Sequence, residues 1–196
     1  MTNLFLVRHG ETALNTKGVY YGLIDCELTE VGIEQVNNLA ARLPRLQFDA
    51  ILASPLKRAL QTASLLSGLN EEQIIIDERL VELNFGEWEG KAAEEIQATH
   101  PDEWQLWAND WRNYPPPGGE SFQGLEERVK FSLTELLHTY QDKNVLLVSH
   151  NSCLRVIMAS LLRVGEQGFW NFTFEQGAYS WLEVSDGHCT VRKINC

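Results

Sequence analysis

Four short apolar runs, Leu4 to Val7, Ala50 to Ala53, Ile74 to Ile76 and Val145 to Val148, stop at polar residues, and helix-period segments lie between them. Runs of three or four apolar residues bounded this way read as buried strands. Thr29 is placed to cap a helix whose inner face is Val36, Leu39, Ala40 and Leu43. Ser54 and Pro55 read as N-cap and first residue of a helix burying Leu56, Ala59, Leu60, Ala63 and Leu66, with Gly68 as its stop. Ser121 starts a helix with apolar positions from Phe122 to Leu137, and another runs from Asn151 to Leu162. Ala178 to Val184 and Cys189 to Ile194 read as strands joined at Asp186-Gly187, a hairpin signal. Alternating strands and helices predict a three-layer α/β/α fold with a mostly parallel sheet, closed by a C-terminal hairpin.

Between about residues 85 and 120 the pattern breaks. This stretch holds four of the six tryptophans and ends in Pro115-Pro116-Pro117-Gly118-Gly119. It reads as a lid inserted over the active site within a single domain spanning residues 1–196. The net charge of -11 argues against nucleic acid and anionic membranes as partners. No apolar run approaches the roughly 20 residues of a membrane span, and the first residues lack a signal-peptide pattern. The protein is therefore expected in the cytoplasm. Cys26, Cys153, Cys189 and Cys196 form no metal-like spacing and read as packed or surface thiols.

In sheets of this kind, active residues collect at the carboxyl ends of the strands. Arg8 and His9 follow the first run, Arg58 lies about one turn into the helix after the second, Glu82 follows the third and His150 the fourth. Two arginines, two histidines and a carboxylate suit phosphoryl transfer. Guanidinium forks match phosphate oxygens, an imidazole can attack phosphorus, and a carboxylic acid can protonate the leaving oxygen. Local cations would also offset the acidic surface for an anionic substrate. Gly10 reads as a site of close substrate approach. No HxH or HExxH pattern supports metal ligation.

The run Leu6-Val7-Arg8-His9-Gly10-Glu11-Thr12, with Asn15 behind it, resembles the signature of the histidine phosphatase (phosphoglycerate mutase-like) superfamily. Further similar blocks are Leu28-Thr29-x-x-Gly32-x-x-Gln35, the run from Ser54 to Ala63, Glu82-x-x-Phe85-Gly86-x-Trp88-Glu89-Gly90, and Ser149-His150. The resemblance implies His9 as phosphorylated nucleophile, Glu82 as proton donor, and Arg8, Arg58, His150 and Asn15 as the phosphate pocket. It implies no metal and no cofactor. Glu27 and Asn151 depart from the family's usual proline and glycine. Glu87 and Glu89 are local rivals to Glu82, and block alignment favours Glu82.

Other features read more plainly. His100, His138 and His188 are expected outside the chemistry, and Trp104, Trp107 and Trp111 recur near helical spacing, as core of the insertion would. The insertion exit and the run Phe169-Trp170-x-Phe172-x-x-Glu175-Gln176-Gly177 resemble the α-ribazole phosphatase branch of the family. That resemblance implies α-ribazole 5′-phosphate as substrate, with Trp104, Trp107, Trp111 and Tyr114 as candidates to face its ring. Another small-metabolite phosphatase and a phosphoglycerate mutase are the alternatives, and whether the chain forms a homo-oligomer is open.

Overall fold

A computed structural model of the protein describes residues 1–44 and 46–196. Strands β1 (Thr2–Arg8), β2 (Ala50–Ala53), β3 (Ile75–Ile76), β4 (Asn144–Ser149), β5 (Tyr179–Ser185) and β6 (His188–Lys193) form one sheet in the order β3-β2-β4-β1-β5-β6. The pairs β1–β4, β2–β4 and β2–β3 are parallel, and the hairpin adds β5 and β6 antiparallel. Asp186 and Gly187 both take positive φ, 49° and 75°, as a tight hairpin turn requires.

The apolar runs of β1, β2 and β4 bury both faces because successive side chains point to opposite sides, whereas β3, at the sheet edge, leaves Ile75 and Ile76 exposed and does not bear out the buried strand expected there. Leu4 and Leu6 join Val145 and Leu147 under helices α6 (Phe122–Thr139) and α7 (Asn151–Leu161). Phe5 and Val7 join Leu146 and Val148 under α2 (Glu30–Arg42) and α3 (Lys57–Ser67). These are the two outer layers that the alternation predicts. A short α1 (Ala13–Lys17) follows β1, and the insertion carries α4 (Ala93–Thr99) and α5 (Pro101–Asp110).

Four local expectations need correction. Ser54 is not a helix cap: α3 starts at Lys57, and its N-terminal amide donates to the Asp25 carboxylate at 2.8 Å. The Ser54 hydroxyl instead pairs with His150, and Arg58 lies in the first turn of α3 rather than one turn in. Ala40 faces solvent, because α2 ends at Arg42 with Val36 and Leu39 carrying its buried side. Gly10 serves packing, not substrate approach: a Cβ there would stand 2.7 Å from the Gly32 carbonyl oxygen of α2.

Candidate active site

The carboxyl ends of β1, β2 and β4 converge, as the sheet order dictates. His9 leaves β1 with its amide on the Ser149 carbonyl at 3.1 Å, and its ring centroid lies 5.1 Å from that of His150. His9 Nδ1 is 2.7 Å from the Gly10 carbonyl oxygen. A carbonyl can only accept, so Nδ1 carries the proton and Nε2 keeps its lone pair. Burial and the nearby Arg58 and Arg8 push the His9 pKa well below that of a free histidine. Burial, Arg58 and His9 do the same for His150. Both rings are therefore neutral at pH 7.

Arg58 is fully buried. Its terminal nitrogens donate to the Ile24 and Gly22 carbonyls at 2.9 and 2.7 Å, and the Tyr21 ring lies under its guanidinium. Arg8 donates to the Phe174 carbonyl at 3.0 Å. Buried Nε of Arg8, Nε of Arg58 and Nδ1 of His150 have no hydrogen-bond partner among the described residues. Two buried guanidinium donors and a ring nitrogen left open beside His9 are costly unless a ligand completes them.

Glu82 is held at both oxygens, from Leu83 N at 2.8 Å and from Ser152 N, in the first turn of α7, at 3.2 Å. Arg128 fixes the segment behind it, donating to the carbonyls of Arg79, Val81 and Glu82 while its other donors grip Glu120. The rival carboxylates are committed elsewhere. Glu87 is exposed and pairs with His100, and Glu89 receives the amides of Gly22, Leu23, Ile24 and Phe85. Cys153 donates to the Val81 carbonyl, and burial pushes its thiol pKa up to about 12, so it is unreactive.

Asn15 closes the capping box of α1. Its Oδ1 accepts from Thr12, Tyr21 and Gln176, leaving Nδ2 as the donor it can offer the cleft it lines. His138 and His188 are exposed, away from the site.

The cleft above these residues measures about 320 Å³ and is bounded by Arg8, His9, Arg58 and Glu82 below. Its walls are aromatic: Tyr20, Phe85, Trp107, Trp111, Phe169 and Trp170. Residues of the insertion thus form part of the cleft wall. Trp104 and Tyr114 do not line the cleft. Trp104 packs against Tyr20, Trp88 and Trp107, whereas Trp111 leaves that cluster to pack on Phe122, Phe169 and Trp170. Sequence reasoning missed Arg155 as a lining residue. It stands one turn along α7 from Asn151, with Nε on the Phe172 carbonyl and its guanidinium 4.8 Å from the Trp170 ring centre. Its signal was the i, i+4 spacing from Asn151 on the helix that opens at His150.

The family model described as the histidine phosphatase superfamily (branch 1) matches residues 4–196. The adenosylcobalamin/alpha-ribazole phosphatase of Salmonella typhimurium is 37% identical over 193 residues, covering 98% of this chain and 95% of that protein. Phosphoserine phosphatase 1 of Hydrogenobacter thermophilus is 33% identical over 195 residues, covering 100% and 92%. The crystal structure of the alpha-ribazole phosphatase from Shigella flexneri superposes with a TM-score of 0.91 at 34% identity, covering 99% of this chain and 96% of that one. With Arg8, His9, Arg58 and Glu82 gathered at one cleft, this chain belongs to the histidine phosphatase superfamily, branch 1, and is a phosphatase.

Proposed function

We propose that the protein hydrolyses α-ribazole 5′-phosphate through a phosphohistidine on His9. The observation that carries the phosphohistidine reading is the neutral His9 ring, Nδ1 tied to Gly10, among the unpartnered nitrogens of Arg8, Arg58 and His150. Nε2 of His9 attacks phosphorus while the arginines and His150 take the charge spread over the phosphoryl oxygens. Asn15 Nδ2 adds a further donor. Glu82 gives its proton to the leaving alkoxide, then takes one from the water that releases phosphate from His9. The cations are the protein's own, so activity is expected to survive dialysis against EDTA.

The alcohol is assigned from the walls. A cleft of about 320 Å³ suits a small metabolite rather than a polymer. Its aromatic faces suit a flat, apolar ring such as dimethylbenzimidazole better than a triose phosphate or phosphoserine. The relatives named for α-ribazole phosphate support the same choice. The net charge of -11 supports an enzyme that takes no nucleic acid.

Rapid acid and base quenching with labelled substrate tests the chemistry. An acid-labile, base-stable phosphoryl group absent from His9→Ala is expected, and a phosphoserine would overturn the reading. Specificity constants for α-ribazole phosphate, phosphoserine, phosphoglycerate and fructose bisphosphate test the alcohol. Parity among them would overturn that assignment alone.

A further inference from the structure

One peptide group in the loop after Tyr21 is held between two opposite charges. The Leu23 amide donates to Glu89 Oε1 at 3.0 Å, and the carbonyl of the same peptide, that of Gly22, accepts from Arg58 at 2.7 Å. Glu89 takes two further amides of this loop, those of Gly22 and Ile24, while Arg58 takes the Ile24 carbonyl. The segment is therefore gripped by a carboxylate on one side and a guanidinium on the other. Glu89 has no salt-bridge partner among the described residues, so backbone amides alone answer its charge locally. Hydrogen bonds that run in one direction through a peptide polarise each other, so the carboxylate strengthens the carbonyl's hold on Arg58.

We infer that Glu89 is a positioning residue for Arg58, acting through the Gly22–Leu23 peptide. The inference rests on the reading of Arg58 as a phosphate ligand. Two of the Arg58 nitrogens are spent on this loop, so the loop decides where the buried Nε is aimed. Glu89 in turn sits at the start of the insertion, directly after Trp88, which is fully buried against Tyr20, Trp104 and Trp107. Glu89 thereby ties the aromatic cover of the site to one of the cations beneath it. The loop has no slack to compensate: a Cβ on Gly22 would come 1.7 Å from the Leu83 carbonyl oxygen. A displaced loop must carry Arg58 with it.

The test is a double-mutant cycle read by the inhibition constant of inorganic phosphate. Wild type, Glu89→Gln, Arg58→Lys and the double variant are compared, with thermal melting as the control for folding. Glu89→Gln keeps the shape but removes the charge, and about tenfold weaker phosphate binding is expected. In the Arg58→Lys background the same change should add little, because the guanidinium it positions is gone. Losses that multiply across the cycle would overturn the inference, as would an unchanged constant for Glu89→Gln. If Arg58→Lys alone leaves phosphate binding intact, the phosphate role of Arg58 fails and takes the inference with it. Should Glu89→Gln not fold, Glu89→Asp replaces it, keeping the charge while withdrawing it by one methylene. The same non-multiplying loss is then expected.

Discussion

The Ser54 hydroxyl lies 2.7 Å from Nε2 of His150, and both groups are buried. If Ser54 donates to Nε2, the ring proton sits on Nδ1, the atom otherwise without a partner. That tautomer turns His150 into a neutral donor for an anion. Ser54→Ala removes the bond that selects it. Phosphate inhibition should weaken about tenfold, in line with the roughly 1–3 kcal/mol cost of a buried group left unpaired. Melting should change little relative to that loss. Unaltered phosphate binding in Ser54→Ala would show that Ser54 does not select the tautomer.

His9 and His150 also make stability depend on pH. Both have folded pKa values well below that of an unfolded histidine, chiefly through burial and secondarily through Arg58. The unfolded chain therefore binds more protons as pH falls, and stability drops with it. The contribution is complete above about pH 6.5 and is lost progressively as pH falls below that toward the folded values. Melting temperatures measured between pH 7.5 and 5 should fall, and His150→Asn should flatten the curve. A slope that persists unchanged in both His150→Asn and His9→Asn would place the effect in other groups.

The parts of this site that could be read along the chain are those placed by strand ends. Arg8, His9 and His150 were legible because a short apolar run that ends in polar residues names its own position in a parallel sheet, whereas Glu82, six residues past the end of β3, was picked out from Glu87 and Glu89 only by the family resemblance. Asp186-Gly187 was legible because its turn needs positive φ. What stayed hidden was contributed by backbone groups or by distant turns. Glu89 works on amides, which no side-chain pattern records, and the Ser54 cap signal was outcompeted by a histidine 96 residues away. Arg155 and Gln176 reach the site from helix and loop positions with no strand end to flag them. The tryptophans illustrate the same limit. Helical spacing put Trp104, Trp107 and Trp111 on one element, but only tertiary packing sends Trp111 to Phe169 and Trp104 away from the cleft.

Glu82 is expected to matter in proportion to how badly the alcohol leaves. A nitrophenolate departs without a proton, whereas an alkoxide needs one. Glu82→Gln should therefore slow phosphoenzyme formation from an alkyl phosphate far more than from nitrophenyl phosphate. Single-turnover quench experiments separate that step from the later hydrolysis, which should be slow for both. Equal losses in the first step would assign the proton to another group.

Arg155 should read the alcohol rather than the phosphate. Its Nε is spent on the Phe172 carbonyl and its guanidinium is stacked near Phe169 and Trp170, so the position of its remaining two nitrogens is set. They have no hydrogen-bond partner among the described residues, and Arg155 lines the cleft together with Phe169 and Trp170. A ribose hydroxyl or a ring nitrogen could accept from them, whereas a plain benzyl group could not. Arg155→Met keeps much of the apolar stem while deleting the donors. It should cost α-ribazole 5′-phosphate about tenfold or more in kcat/KM, as loss of a charged hydrogen bond does, expressed mainly in KM. Benzyl phosphate turnover and inorganic phosphate inhibition should hold within about twofold, since neither uses a donor above the phosphate. A parallel fall in all three would instead place Arg155 among the phosphate ligands, beside Arg8.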